Sequence, residues 1–440
     1  MLATLYVACA DPPKKIIKGG AGTGGDVSGD VGGDSATGGT STEGDAGMGG
    51  DFGEEGGEAG AAPTASGGKG GSGGKGGSGG SSGAATAGSA QGGTGGAPDA
   101  ACATTTVGGK SKIPAPPTTG VAKPAGAVGG LQVINWAGFK GAISYTFDDA
   151  LQSQINNYTA LNAVGVPMTF YIVKAAGGYN TIWNQAVQDG HELGNHTAHH
   201  CRPNGTECSF GVFTNGDDEV ESCSAHISST FGVDPYTFAA PMGDTGWAPY
   251  AEKHFILNRG VYDNPAGIAP NSNQSPLDLP CHITLLGETA AAGVFEISSN
   301  NPNGTPGGLN LIADDVRAKG TWRTVLAHGL DGAEGYKPIK ASEMVATMTY
   351  TKSLGDVWAD TMTRIGAYWR AQIVLKDVLP KTVGSVKTYS WTLPEHFPPG
   401  QYLRVTVTGG KVKQCGTELT WDDHGYYEIN LDAGSLTISP

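Results

Sequence analysis

Two carboxylates stand side by side at Asp148 and Asp149, and two imidazoles stand four residues apart at His196 and His200. One carboxylate with two imidazoles is a three-ligand set that leaves a fourth position open, as catalytic rather than structural zinc requires. Such a site lowers the pKa of a water towards ~7 and polarises a carbonyl. The second carboxylate is then available as a base, and His328 as the acid that protonates a leaving group. Neighbours in extended chain point to opposite sides, so the Asp pair can divide these duties. An i, i+4 spacing presents both imidazoles on one face of a helical turn. Each signal alone has a bland reading: a solvated turn, a helix face, a satisfied core histidine. The case rests on their coincidence.

The elements that must position these groups alternate. Gly141–Phe147 reads as a strand ending at the Asp pair, and Leu151–Val164 has apolar residues at helical spacing. Met168–Val173 is an apolar run of strand length, as in a strand buried on both faces. A helix over Ile182–Gln188 and a short strand over 190–195 lead to His196. Asp217–Phe231 reads as a helix, Thr237–Ala240 as a strand, Pro249–Leu257 as a helix and Thr324–Ala327 as a strand ending at His328. Helices over Ala341–Ser353 and Thr361–Gln372 close the series around a strand-like Val357–Ala359. Strands alternating with helices predict a parallel sheet, and the candidate residues all follow strand C-termini, the face where a (β/α) barrel builds its site. Pro265–Gly307 reads as long loops over that face. Beyond about Val374, four β-prone runs separated by Pro and Gly turns predict a small antiparallel sheet.

Composition sets the bounds. The chain has 440 residues and 73 Gly, and Lys18–Ala97 holds one aromatic residue, Phe52, and no Leu or Ile. That stretch buries too little to offset chain entropy and reads as a disordered tether. The net charge of −14 argues against nucleic acid or an anionic membrane as partner and tolerates a neutral glycan. No later apolar run reaches the ~20 residues of a membrane span. Of seven Cys, Cys9 follows a short apolar run and resembles the lipidated residue of a bacterial lipoprotein signal. The other six make an even number suited to an oxidising compartment, with local pairing expected among Cys201, Cys208 and Cys223. The expected layout is a truncated signal over 1–9, a linker over 10–128, a catalytic domain over 129–373 and a β-sheet domain over 374–440. The protein is expected to be secreted or envelope-anchored, monomeric, and in membrane contact only through a lipid on Cys9.

Thr146-Phe147-Asp148-Asp149 resembles the first motif of the NodB-like polysaccharide deacetylase family (carbohydrate esterase family 4-like), and Gly190–His200, with its His-Thr-x-x-His core, resembles the second. Phe238–Asp244 resembles the third motif, and Val325-Leu326-Ala327-His328 the last. The resemblance implies a distorted (β/α) barrel with Asp149, His196 and His200 holding Zn2+ or another divalent transition metal. It implies Asp148 as base, His328 as acid, the Met242 N–H as oxyanion donor, and Leu326 lining the acetyl-methyl pocket. It departs where the third motif's base-orienting Arg is expected, since Ala239 and Ala240 stand there. Arg259 is the candidate substitute, and Asp314 or Asp315 the candidate partner of His328. Trp247 and Trp322 are candidates for stacking on sugar. Three readings follow: deacetylation of N-acetylated glycan such as chitin or cell-wall glycan, O-acetyl esterase action on a xylan-type polymer with the same site, and non-catalytic glycan binding on a decayed scaffold.

Overall fold

The structure is a computed structural model, and it describes residues 102, 111–176, 180–262, 264–283, 308–332, 334–336 and 338–440. The signal over 1–9, most of the tether, and the loop over 284–307 lie outside these residues. After a two-residue strand β1 (Gln132–Val133), the chain enters β2 (Gly141–Phe147), an interior strand of the parallel sheet. Its residues alternate strictly: Ile143, Tyr145 and Phe147 pack outward under helices, while Ala142 faces the interior. Both faces are buried, which is why the run carries no polar-apolar signature.

Then follow α1 (Gln152–Ala163), β3 (Thr169–Ile172), α2 (Asn180–Gln188), β4 (Glu192–Asn195), α3 (Gly216–Phe231), β5 (Thr237–Ala239), the single turn α4 (Ala248–Ala251) and β6 (Leu257–Arg259). The α3 helix starts at Asn215, whose side chain accepts from Asp218 N, and has three acids in its first turn to meet the helix dipole. It stops at Gly232, which takes φ +70°. Next come β7 (His282–Ile283), α5 (Asn310–Lys319), β8 (Trp322–Ala327), α6 (Ala341–Leu354), β9 (Val357–Ala359) and α7 (Met362–Lys376). The strands pair in parallel in the order β6-β5-β4-β3-β2-β8-β7, with β9 beside the first half of β2. The segment 279–283 reaches both edges: Leu279 N donates to Asn258 O (2.9 Å) and Leu279 O accepts from Gly260 N (2.8 Å), while β7 pairs with β8. The sheet therefore curls into the distorted barrel expected from sequence.

Several elements differ from expectation, among them β7, which lies inside the segment 265–307 read as loops. The helix expected over Pro249–Leu257 is one turn long, and its last residue begins β6. The α5 helix, read as part of no element, buries Ile312, Ala313 and Val316 against the outer face of the sheet.

The rest of the chain is antiparallel: β10 (Lys381–Val383), β11 (Val386–Ser390), β12 (Tyr402–Thr406), β13 (Lys411–Gln414), β14 (Thr417–Glu418), β15 (Tyr427–Asn430) and β16 (Ser435–Ser439). They form a five-stranded sheet, β10-β11-β16-β13-β14, and a three-stranded one, β1-β12-β15. One apolar cluster runs from Trp322, Trp358 and Trp369 of the barrel to Leu403, Tyr427 and Ile438 of these sheets. Residues 111–128, expected to belong to the linker, run along them instead: Ser111 bonds Glu428 (2.6 Å), and Val121 N donates to Asp423 O (2.8 Å). Arg404, 1% exposed, gathers the main-chain oxygens of Ile113, Pro114 and Ala137. Disulfides join Cys102 to Cys415 and Cys201 to Cys208, whereas Cys223 and Cys281 are buried thiols.

Candidate metal centre

Asp148 and Asp149 leave the barrel at the C-terminal end of β2. Asp148 N donates to Ala327 O (3.0 Å), and Gln154 Nε2 reaches both Asp148 O (2.6 Å) and His328 O (2.9 Å). One buried amide from α1 thus binds together the ends of the two strands that carry the acid-base candidates. The Asp pair does not divide its duties by strand alternation. Asp149 takes φ +74°, a left-handed turn that brings its carboxylate to the same side as that of Asp148. The result is that His196 Nε2 lies 3.7 Å from Asp148 Oδ2 and 3.5 Å from Asp149 Oδ1.

Nor are His196 and His200 on a helical turn. Residues 196–200 form a bend in which Thr197 (φ +68°) and His200 (φ +52°) are left-handed. Side chains stabilise the bend: Asn195 Oδ1 accepts from Thr197 N (2.8 Å), and Thr197 Oγ1 accepts from His200 N (3.0 Å). Glu219 at the start of α3 accepts from both the backbone N and the Nδ1 of His199 (2.8 and 2.7 Å). His196 Nδ1 meets the main-chain oxygen of Ala239 at 2.8 Å. A carbonyl only accepts, so Nδ1 carries the proton and Nε2 presents its lone pair to the cluster.

Asp149 Oδ1 is buried without a hydrogen-bond partner, 3.5 Å from His196 Nε2 and 3.4 Å from His200 Nε2. Metal–ligand bonds of about 2.0–2.1 Å in a tetrahedron set donor atoms about 3.3 Å apart. These three residues therefore fit a tetrahedral divalent metal such as zinc, and among the described residues their donor atoms lie within 4.8 Å of one another. Burial alone would raise the Asp149 carboxyl, but the nearby His200, His196 and His328 hold it well below the usual carboxylate range. His196 is pushed up: burial opposes its charge, but the carboxylates of Asp148 and Asp149 outweigh it.

Arg259, fully buried at the end of β6, donates through Nη2 to both oxygens of Asp148 at 2.5 Å and through Nη1 to Gly260 O at 3.1 Å. Its guanidinium sits 5.1 Å from the centre of the Tyr171 ring. Burial opposes its charge, yet Asp148 beside it drives its pKa above the ordinary arginine value. Leu326, also fully buried, contacts Cys281 and Val261 on the same barrel. Met242 lies at φ +57° in the turn after β5, next to the strand end that holds His196. Gly243 N and Asp244 N of that turn are taken by Ala240 O and Pro241 O. His328 follows β8 with its ring edge-on to Tyr336, centroids 5.6 Å apart.

Other candidates fall away. Trp247 and Trp322 are 0% exposed, packed on Phe238 and Trp369 respectively, and offer no face to a sugar. Asp314 accepts from Tyr350 OH (2.8 Å), and Asp315 pairs with Lys319 and Arg323. Arg323 is at the start of β8 and His328 beyond its end, so α5 delivers these carboxylates to the wrong end of the strand. A cavity of about 440 Å³ opens at the opposite end of β4 from His196. Its Glu192 and Arg364 are already committed to Thr237, Thr363 and Asp360.

Residues 138–252 match the family model described as polysaccharide deacetylase. A gellan lyase from Bacillus sp. is 24% identical over 178 residues, which cover 40% of this chain but only 7% of that much longer protein. Among solved structures, a putative polysaccharide deacetylase from Mycobacterium smegmatis aligns at 15% identity and TM-score 0.37, over 60% of this chain and 99% of that one. A family 4 acetyl xylan esterase from Clostridium thermocellum, in complex with cobalt, aligns at 16% identity and TM-score 0.31, over 51% and 89%. The likeness to polysaccharide deacetylases thus rests on residues 138–252, whose motifs lie on the strand ends of a curled parallel barrel.

Proposed function

We propose that this chain is a metal-dependent hydrolase that removes acetyl groups from a polysaccharide, most favourably N-acetyl groups of a GlcNAc-containing glycan. The observation that carries the reading is the buried, unpartnered Asp149 Oδ1 between two imidazole Nε2 atoms, since such an oxygen is costly unless a cation completes it. A metal bound there would supply Lewis acidity towards the acetyl carbonyl and a more acidic water. The remaining work falls to the chain itself. Asp148, held by Arg259, takes the proton of the attacking water. The N–H of Met242 donates to the oxygen that becomes negative when the carbonyl carbon is attacked. His328 gives a proton to the departing sugar nitrogen as the C–N bond breaks, leaving acetate and an amine. Leu326 forms apolar wall for the acetyl methyl. A lipid on Cys9 would place this domain at the cell envelope, where such polymers occur.

The test is acetate release by the full chain from a chitin oligomer and from acetylated xylan, with zinc and with chelator, alongside Asp148→Asn. Zinc-dependent release from the chitin oligomer that the variant lacks is the expected result. Release from xylan alone would replace the substrate by an O-acetyl polymer. A folded, metal-loaded chain inert on a wide panel of acetylated glycans would overturn the reading in favour of glycan binding.

A further inference from the structure

The two histidines of the cluster are held in different ways. His196 stands on a strand end and is oriented by a main-chain oxygen of the neighbouring strand. His200 lies five residues beyond the end of β4 at φ +52°, and its Nδ1 meets Ser209 Oγ at 3.1 Å. Ser209 is nine residues further along, yet the chain returns it to His200 in a closed loop. Cys201, fully buried, is joined to Cys208, and Ser209 N donates to His200 O (3.2 Å) while Phe210 N donates to His199 O (3.2 Å). Within the loop, Arg202 N donates to Thr206 O (2.9 Å), and the Arg202 guanidinium pairs with Glu207 (2.9 Å) and with Asp244 beside the Met242 turn (3.1 Å).

We infer that the Cys201–Cys208 disulfide and Ser209 form a clamp that positions His200 for the metal, making metal affinity dependent on the oxidation state of this loop. The clamp rests on the metal-centre reading given above. With Nε2, 3.4 Å from Asp149 Oδ1, given to the metal, Nδ1 keeps the proton and the Ser209 hydroxyl 3.1 Å away accepts it. That bond selects the tautomer and fixes the ring plane, as partners of metal-bound histidines do. The disulfide restricts an eight-residue loop, so the hydroxyl stays at its place instead of sampling the conformations of an open chain. Ser209 is thus a positioning residue, acting through His200.

Cobalt titration of the full chain, followed by visible absorption and by competition with a chelator, tests this. Ser209→Ala is expected to weaken cobalt and zinc binding by about tenfold or more, and Ser209→Thr, which keeps the hydroxyl, to restore it. Cys201→Ser/Cys208→Ser is expected to weaken binding similarly, while Cys102→Ser/Cys415→Ser leaves it at the wild-type value. Far-UV circular dichroism of the metal-free variants separates misfolding from lost positioning. Should the Cys201/Cys208 variant fail to fold, the Ser209 pair decides. Ser209→Ala binding within twofold of wild type, or a loss that Ser209→Thr does not repair, overturns the clamp and leaves the metal centre standing. A wild-type chain that binds no cobalt overturns both.

Discussion

Asp148 and Arg259 form a buried ion pair, and its energetics are asymmetric. Removing one partner of such a pair leaves a buried charge uncompensated, at a cost of about 3–5 kcal/mol. Arg259→Ala is therefore expected to lower the urea midpoint strongly, and Asp148→Asn in the same chain to recover part of the loss. Recovery of nothing would show that Arg259 stabilises by packing on Tyr171 instead. For turnover, Arg259→Lys is not conservative, because an ammonium does not reproduce a planar guanidinium that holds Asp148 through one nitrogen and the Gly260 carbonyl through the other. It should reduce kcat by tenfold or more, an order of magnitude in keeping with ~10²–10⁴ for a positioned acid-base group, and leave KM and metal content near wild type. An unchanged kcat would remove Arg259 from the proposed mechanism. The residue types of this site were legible in sequence because motif spacing carries them. The conformations were not: left-handed Asp149, Thr197 and His200 follow no periodic pattern, and the i, i+4 spacing of the imidazoles is met by a bend instead of a helix.

At the scale of elements, β4 shows how a strand serves the site from its back end. His191, just before it, accepts Met168 N at Nδ1 (3.0 Å), so its Nε2–H faces Asn162 Oδ1 (3.0 Å) and the ring is neutral. Burial, set against the nearby Asp189, lowers its pKa from 6.5 to about 4. Between those values the unfolded chain binds more protons than the folded one, so the stabilisation is complete above about pH 6.5 and lost as pH falls towards 4. Its size is on the order of 3 kcal/mol at most. His191→Asn should flatten the fall of the urea midpoint across that window, and an equally steep fall in the variant would assign the acid sensitivity elsewhere. A methyl added at Gly194 would lie 2.4 Å from the Tyr171 ring, the ring beneath Arg259. Gly194→Ala should cost about 1–3 kcal/mol by overpacking and lower kcat through the displaced arginine, both read on one purified variant. Elements with a stripe or a long apolar run were legible. The three-residue β6 was not, because Leu257-Asn258-Arg259 is buried on both faces and continues the apolar Phe255-Ile256 without a break.

The whole molecule is joined more closely than its change of pattern near residue 374 suggests. Apolar side chains of β12, β15 and β16 continue the core that begins at Trp322 and Trp369. Deleting 377–440 would expose that core and strand Arg404's partners, so the truncated chain should aggregate or lose its cooperative thermal transition. A monomeric truncation with wild-type melting would make the sheets a mere appendage. The Cys102–Cys415 bond closes a separation of 313 residues, and beside it β1 and residues 111–128 lie against the same sheets. This has a mechanical meaning. Tension applied to the chain ahead of Cys102 would arrive at Cys415 through a covalent bond and be borne by the antiparallel sheets. The strand ends that carry Asp149, His196 and His200 lie off that load path, so a pulled chain would keep these three side chains together.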